Sequence, residues 1–180
     1  HVTVALSGDG GDELFGGYNR YIRGPALWKR LSKVPKPIRR VSGQAAQALP
    51  EKTWDMIGGT YNRLRPGSSG ILGLGTKVHR LGERLRLTDS LDDLHQNMAS
   101  TWIEPETVMA GNISEPPSQL DDPLPAYGAD DPAMRMMVQD MRSYLPDDIL
   151  CKVDRAAMGV SLETRTPFLD PDVIALAARL

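Results

Sequence analysis

The opening residues impose the strongest constraint on how this chain can fold. A short apolar run, Val2 to Leu6, is followed at once by the letters SGDGGDEL and then by a helical pattern. A short, partly β-branched apolar run that ends at glycines is typical of a strand buried on both faces. The sequence therefore predicts one strand here, a glycine-rich turn after it, and a mainly helical chain beyond.

The turn combines groups that bind anions with groups that repel them. A strand that passes through a tight turn into a helix points several backbone N–H groups at one spot. Asp9, Asp12 and Glu13 would repel a bare phosphate there, but they would hold a divalent cation that carries a polyphosphate. A purely structural turn, in which Asp12 and Glu13 only favour a helix start, explains the same residues. The anion-binding residues of the first interpretation are Ser7, Gly8, Gly10 and Gly11.

Composition excludes several classes of function. The 180 residues are 41% hydrophobic and carry a formal net charge of -2, so the chain lacks the basic excess of a nucleic-acid binder. One cysteine, Cys151, allows no internal disulfide, and no apolar run approaches the roughly 20 residues of a membrane helix. We therefore expect no nucleic-acid partner, no membrane span and a cytoplasmic location.

Helical spacing of apolar residues predicts most of the remaining elements. A helical face is expected after a break at Gly24-Pro25, and Ser90 with Asp93 matches a capping box. The methionines around Met137 form a stripe that indicates a core-facing helix. The faces that define these helices are Leu27, Leu31 and Val34; Trp54, Ile57, Tyr61 and Leu64; Met134, Met137, Val138, Met141 and Leu145; and, after Pro146, Ile149, Leu150, Val153, Ala157 and Val160.

Three further segments complete the predicted organisation. The stretch from Gly111 to Pro132 is rich in Pro, Asp, Ser and Gly and is expected to be a long loop. Residues 161–169 alternate in a way that predicts an extended piece with its charged side chains on one side. Asp170 and Pro171 then mark the start of a helix whose pattern continues, without a stop signal, to Leu180.

Two blocks together carry a family resemblance. The letters ALSGDGGDELFGGYNRY and YLPDDILCKVDRAAMGVSLETRTPFLD, in this order, resemble the synthetase domain of the glutamine-hydrolysing, AsnB-like asparagine synthetases. The resemblance implies an α/β fold, mostly α-helical in this chain, with the adenine-nucleotide α-hydrolase-like core of the ATP-pyrophosphatases. Residues 1–180 are then expected to form part of one synthetase domain. The glutaminase domain, the S-G-G-x-D-S pyrophosphate loop and the downstream end of the domain would lie outside this chain.

The resemblance also implies a reaction and its participants. In the family, ATP and Mg²⁺ activate the side chain of aspartate as an acyl-adenylate, which ammonia from glutamine then attacks. By this resemblance Ser7 and Gly8 line the nucleotide, Asp9 is tied to formation of the acyl-adenylate, and Asp12 is a Mg²⁺ ligand. Many members have glutamate where Asp9 stands, and others have aspartate. The parent protein is expected to be a cytoplasmic homodimer.

The second block is less informative from its residues alone. Asp148 and Lys152 stand at the i, i+4 spacing of an ordinary helix-surface ion pair. Further charged residues in this block are expected to pair with each other and to hold the letters RTPFLD beside the glycine-rich turn. Cys151 is interpreted as a small buried residue because no base stands beside it in sequence. The residues assigned supporting roles are Glu13, Lys152, Asp154, Arg155, Glu163 and Arg165.

Two alternative functions remain at this stage. An amidotransferase of the same kind could act on another carboxylate, such as a sugar acid, whereas the β-lactam synthetases place a tyrosine where Asp9 stands. A non-catalytic homologue could retain the turn only as part of a binding module. The 180 residues alone are expected to be inactive, because the family's pyrophosphate loop and catalytic lysine fall outside them.

Overall fold

The computed structural model describes residues 2–64, 72–100, 108, 111 and 130–180. Most of the predicted loop from Gly111 to Pro132 lies outside these residues. Within the described part, the chain is mostly helical and includes a small parallel sheet. Its elements are β1 (Val4–Leu6), α1 (Gly11–Phe15), α2 (Asn19–Leu31), α3 (Lys36–Ala48), α4 (Glu51–Leu64), α5 (Leu74–Leu87), α6 (Leu91–Ala99), α7 (Pro132–Arg142), a π-helical turn (Leu145–Leu150), α8 (Cys151–Met158), β2 (Glu163–Arg165), a 3₁₀ turn (Pro167–Leu169) and α9 (Pro171–Ala177).

The sheet joins the two ends of the described chain. β1 and β2 run parallel, with Val4 opposite Glu163 and Leu6 opposite Arg165. The Ser7 N–H donates to the Arg165 carbonyl at 2.8 Å, so the pairing continues into the glycine-rich turn. Both predicted extended segments are confirmed in shorter form, the first as Val4–Leu6 and the second as Glu163–Arg165, because Pro167–Leu169 forms a 3₁₀ turn instead. The α/β class is consistent with this arrangement, and the more specific adenine-nucleotide fold stays a prediction.

The expectation that the first strand is buried on both faces is wrong for the described structure. Leu6 is 75% exposed and Val4 is 40% exposed. An apolar run is buried on both faces only where further strands or helices cover the sheet. Within the described residues β1 pairs with β2 alone, and this two-stranded sheet leaves the apolar side chains open to solvent.

The described chain divides into two compact units, residues 26–97 and the remaining residues on either side of them. In the 26–97 unit, α3 packs against α5 at close range because Gly43 faces the Gly82 backbone without a side chain between them. Trp54 donates its indole N–H to the Ala46 carbonyl at 3.0 Å and so ties α4 to α3. The buried Arg39 donates to the Thr88 carbonyl at 2.8 Å.

The close approach of α3 and α5 leads to a first prediction. Replacing Gly43 by alanine is expected to lower the free energy of unfolding by about 1 to 3 kcal/mol, because the new methyl group overlaps the Gly82 carbonyl oxygen. The same change at Gly59, which is exposed in α4 with open space around it, should raise that free energy by about 0.5 to 1 kcal/mol. Urea unfolding of both variants measures the difference, and equal effects would contradict the packing described here.

Two predictions for this unit are confirmed, namely the apolar face of α4 and the capping box of α6. The predicted face of Trp54, Ile57, Tyr61 and Leu64 lies on helix α4, although Leu64 is 78% exposed and this face borders an open apolar groove. The Ser90 hydroxyl accepts from the Asp93 N–H at 3.0 Å, and the Asp93 carboxylate accepts from the Ser90 N–H at 2.8 Å. This reciprocal pair is the predicted capping box at the start of α6.

The predicted break at Gly24-Pro25 is wrong, because α2 continues through both residues. Proline removes only one backbone hydrogen bond, and a helix that is well supported on either side can accommodate that loss. Tyr21 before the pair and Leu31 after it are both buried and supply this support. Gly24 serves a packing purpose, since a Cβ there would lie 2.8 Å from the Met136 methyl group on α7.

The predicted methionine helix is confirmed as α7, and Asp131 caps it by accepting from the Ala133 and Met134 N–H groups. Met137 and Val138 are buried as predicted. The buried arc of α7 is wider than the predicted stripe, because Met136, Gln139 and Asp140 are also inaccessible to solvent. The next helical segment starts before Pro146, and its first six residues form a π-helical turn that the sequence pattern did not predict.

The final predicted helix is confirmed as α9, where the Asp170 carboxylate accepts from the Asp172 N–H at 2.9 Å. The expected continuation of this helix to Leu180 is wrong, because α9 ends at Ala177. Ala177 is buried, whereas Leu180 is 86% exposed. Apolar spacing alone therefore overstated the length of the helix.

Candidate functional site

The glycine-rich turn lies between the end of β1 and the start of α1. Gly10 adopts a φ of +86°, in the left-handed region that favours glycine, and α1 begins at Gly11. The Gly11 N–H donates to the Gly8 carbonyl at 3.2 Å, and the Leu14 N–H donates to the Gly10 carbonyl at 3.0 Å. The chain therefore reverses direction within a few residues after the sheet. One of the expected anion-binding N–H groups, that of Gly11, is used inside the turn itself.

The segment after β2 packs directly on this turn. A Cβ at Gly10 would overlap the Leu169 side chain, and a Cβ at Gly11 would lie 3.3 Å from the Phe168 ring. The rings of Phe15 and Phe168 meet edge to face, with centroids 5.9 Å apart. These contacts confirm that the letters RTPFLD lie beside the turn. They also show why glycine is required at residue 10, where the backbone angle and the neighbouring leucine both exclude a side chain.

Two acidic side chains of the turn are available for chemistry. The Ser7 hydroxyl donates to the Asp9 carboxylate at 2.5 Å, and Asp9 is half-buried. Asp12 is exposed, and its carbonyl accepts from the Gly17 N–H at 2.9 Å. Ser7 therefore donates to the acid in this arrangement, instead of pointing its hydroxyl at an anion.

The donor set fits the kind of site that Mg²⁺ occupies with a nucleotide. Among the residues that the structure describes, no group of three or more His, Cys, Asp or Glu side chains could enclose a metal ion. Magnesium with nucleotides usually needs only one or two protein carboxylates, since phosphate oxygens and water complete its shell. Asp9, which is half-buried, and Asp12, which is exposed, stand close together in sequence and fit that requirement.

Glu13 has a different role from its acidic neighbours. It is only 1% exposed, and the Tyr18 hydroxyl donates to its Oε1 at 3.1 Å. Burial, together with the negative charge of Glu13, raises the pKa of Tyr18 above its ordinary value, so this hydroxyl stays protonated. Glu13 is therefore a buried structural acid that joins α1 to the start of α2.

A polar cluster that the sequence analysis missed lies next to Glu13. Asp140 on α7 is fully buried, and its Oδ2 accepts from the Arg20 Nε at 2.9 Å and from the Tyr21 hydroxyl at 2.5 Å. Burial raises the pKa of Tyr21, and the bond to Asp140 adds to the shift. The Arg20 guanidinium carbon lies 4.3 Å from the centre of the Tyr18 ring and 4.6 Å from that of Tyr144.

The sequence offers little that could have identified this cluster. Arg20 and Asp140 are 120 residues apart, and neither belongs to a spaced pattern of charges. The aromatic residues at 18, 21 and 144 do lie within the two motif blocks. A stacked arginine could have been suspected there, but its partner could not have been chosen from one sequence.

The second block contributes ion pairs on the surface. The Lys152 ammonium lies 2.5 Å from the Asp148 carboxylate, as the i, i+4 spacing predicted, and this hydrogen bond raises the pKa of Lys152. Arg165 Nε lies 2.7 Å from Glu163 Oε1 at the end of β2, so these two residues pair with each other as expected. The four side chains are at least partly exposed, so their pairing is screened by solvent.

The remaining supporting residues lie on α8. Asp154 and Arg155 are both exposed, and the described structure contains no ion pair between them, contrary to the expected pairing. Neighbours in sequence do not face each other on a helix, which is the physical reason. Cys151 is a free cysteine that is half-buried, so its interpretation as a small buried residue is confirmed only in part. None of the described helices combines the length and the apolar character that crossing a membrane requires.

Comparison with known proteins gives a consistent result. The family model described as asparagine synthase matches residues 1–180. A protein of Mycobacterium tuberculosis and one of Mycobacterium bovis, both named as glutamine-hydrolysing asparagine synthetases, are each 35% identical over 185 residues, which cover 100% of this chain and 24% of the relative. Asparagine synthetase 1 of Bacillus subtilis is 29% identical over 184 residues, covering 100% of this chain and 25% of the relative. The chain thus spans about a quarter of the length of these relatives. No solved structure matches.

Proposed function

The chain belongs to the asparagine synthase family, and from this membership we propose that its parent protein is a ligase that uses ATP to amidate aspartate. The product is asparagine, the intermediate is an aspartyl acyl-adenylate, and the nitrogen comes from glutamine as ammonia. The observation that carries the proposal is the family match over all 180 residues, which includes the acidic turn packed against the segment after β2.

The proposed roles follow the geometry of the turn. The backbone at Gly8 leaves room for a nucleotide, because a Cβ there would meet no atom within 4 Å. Ser7 and Gly10, on either side of this open position, are the other residues that we assign to the nucleotide, although Leu169 covers one side of Gly10. Gly11 would contribute by bringing α1 close to the same point. Asp12, which is exposed, would hold Mg²⁺, and when bound this ion neutralises charge on the departing pyrophosphate.

Asp9 is the residue that we assign to the formation of the acyl-adenylate. It lies between Ser7 and Gly10, half-buried and hydrogen-bonded to the Ser7 hydroxyl. A single serine bond fixes the orientation of the carboxylate but leaves its second oxygen available to other groups. Positioning of this kind, set before the substrate arrives, is what an adenylation step requires of a side chain.

The supporting charges would act around the turn. The Glu163–Arg165 pair lies on β2, and the carbonyl of the same Arg165 accepts the Ser7 backbone bond. The Asp148–Lys152 pair joins the π-helical turn Leu145–Leu150 to α8. Asp154 and Arg155, exposed on α8, remain proposed supporting residues without an assigned contact.

Pyrophosphate release by the full-length parent protein tests this function. We expect release that requires ATP, Mg²⁺ and L-aspartate, and formation of asparagine when glutamine is added. The isolated 180 residues should show neither activity, because they cover only about a quarter of the length of the relatives. Release with a sugar acid such as galacturonate, and none with aspartate, would replace aspartate by another acceptor. Absence of release with every carboxylate, although ATP binds, would favour a binding module.

A further inference from the structure

The buried contacts around Arg20 connect both motif blocks of the chain. Its Nε and Nη2 atoms lie 2.9 and 2.8 Å from the same Asp140 oxygen, and Asp140 is fully buried on α7. Arginine presents its donors in a rigid planar fork, so a buried carboxylate fixes the direction of the whole guanidinium plane. The Tyr21 hydroxyl bonds to the same oxygen and fixes the carboxylate in turn.

The guanidinium plane then contacts two tyrosine rings, one from each block. Its carbon lies 4.3 Å from the centre of the Tyr18 ring and 4.6 Å from the centre of the Tyr144 ring. The two rings also meet each other edge to face, with centroids 6.2 Å apart. Contacts between a cation and aromatic faces are attractive and depend on orientation, so Arg20 holds both rings in place.

Tyr18 leads directly to the acidic turn. Its hydroxyl bonds to Glu13, the residue after Asp12. Its chain neighbour Gly17 lies against the Asp12 carboxylate so closely that a Cβ there would overlap Asp12 Oδ1. Tyr18 is therefore linked to both acids of α1, to Glu13 by its hydroxyl and to Asp12 through the neighbouring Gly17.

Tyr144 leads to the second block. It immediately precedes the π-helical turn Leu145–Leu150, which contains Asp148. Leu145, the next residue, is 4% exposed, so this turn is anchored in the core at its first position. A π-helical turn inserts an extra residue into a helix, and such turns are frequent at functional sites. The contact of Arg20 with the Tyr144 ring therefore lies at the residue directly before this irregular turn.

We propose that Arg20, held by Asp140 and stacked on Tyr18 and Tyr144, is a positioning residue that fixes the acidic turn around Asp12 and the π-helical turn around Asp148 in one mutual geometry. Arg20 acts through Asp140 and the tyrosine rings that it contacts. This inference rests on the proposed function for its kinetic consequence, but its structural part stands independently of the reaction.

The test compares Arg20→Lys with Arg23→Lys in the full-length protein. Lysine keeps the charge of residue 20 but lacks the planar fork, whereas Arg23 is exposed on the same helix and serves as the matched control. Amide hydrogen exchange followed by mass spectrometry is expected to be about 10-fold faster in residues 10–18 and 145–152 of Arg20→Lys alone. Unchanged exchange in both segments would overturn the proposal, whatever reaction the protein catalyses.

Kinetic measurements distinguish a positioning role of Arg20 from a general contribution of this residue to stability. For Arg20→Lys we expect kcat for pyrophosphate release to fall about 10-fold or more and the Mg²⁺ concentration for half-maximal rate to rise, since misplacement of a site group by 1 Å costs about that much or more. A lower melting temperature with unchanged kcat and unchanged Mg²⁺ response would show a merely structural residue and refute the proposal.

If Arg20→Lys does not fold, a second variant tests the positioning proposal. Tyr144→Leu removes one stacked ring and leaves the buried pair of Arg20 with Asp140 intact. It is expected to speed exchange in residues 145–152, with the same direction of change in the Mg²⁺ response. Wild-type exchange and kinetics in this variant would contradict the proposal. Absence of pyrophosphate release from the wild-type protein would instead contradict the proposed function and leave the exchange measurement to decide positioning.

Discussion

Asp12→Asn in the full-length protein is expected to lower kcat for Mg²⁺-dependent pyrophosphate release by about 100-fold or more. The ion that Asp12 is proposed to hold would neutralise charge on the leaving group, and stabilisation of several kcal/mol corresponds to at least that factor. Asparagine has nearly the same shape but no charge, so packing around this exposed side chain should be preserved. The measurement is pyrophosphate release over a range of Mg²⁺ concentrations.

The matched control for this experiment is Asp172→Asn, an exposed carboxylate in the first turn of α9. It should leave both kcat and the Mg²⁺ dependence near the wild-type values. Normal pyrophosphate release by Asp12→Asn would remove Asp12 from the proposed metal site. An equal loss of kcat in both variants would show that removal of any negative charge has this effect. It would also contradict a specific role of Asp12 as a Mg²⁺ ligand.

Asp140→Asn is expected to lower the free energy of unfolding by about 3 to 5 kcal/mol, because it leaves the Arg20 charge in the interior without its counter-ion. Replacing both partners by apolar residues of similar volume should cost much less, since the penalty comes from the unpaired charge. Urea unfolding at neutral pH, with the slope of the transition checked for constancy, measures the change.

Asp131→Asn supplies the control on the same helix. Asp131 is exposed and caps α7 through the Ala133 and Met134 N–H groups, and asparagine caps about as well as aspartate. This variant should therefore stay within about 0.5 kcal/mol of the wild type, the usual range for a surface change. A comparable loss of unfolding free energy in the two variants would show that the buried Arg20–Asp140 pair contributes no more to stability than a surface residue.

Signals that act over a few residues allowed correct prediction of much of the fold. The capping box of Ser90 and Asp93 and the start of α9 at Asp170 were both confirmed, because such caps depend only on nearby backbone groups. The position of the acidic turn after a strand, and the contact of Phe168 with that turn, were also expected. Here the strand pattern and the family resemblance agreed.

Long-range contacts decided the features that the sequence did not reveal. A Gly-Pro pair usually ends a helix, but burial of Tyr21 and the methionine contact at Gly24 carry α2 through it. Asp140 lies outside the predicted methionine stripe, and its partner Arg20 is too far away in sequence for the pair to have been predicted. Leu6 looked like a buried strand residue, but burial depends on neighbouring strands that a pattern cannot supply.

The sequence predicted which types of residue form the proposed site, but it did not predict the contacts that hold them in place. The order of serine, glycine and acid around residue 9 already indicated a nucleotide turn, and the structure adds the Ser7–Asp9 bond. Glu13 could not be separated from Asp12 by sequence, because two adjacent acids look alike. Only the fold shows that one is buried against Tyr18 while the other faces solvent.

The parallel pairing of β1 with β2 also determines when the turn can form. Residues 4–6 must wait for residues 163–165, and contacts so distant in sequence form slowly because a long loop has to close first. The helix pair α3 and α5 involves much nearer residues and can associate earlier. On the ribosome, a nascent chain that has not reached Arg165 therefore carries β1 without its β2 partner, and an open strand edge of this kind is a surface that chaperones shield.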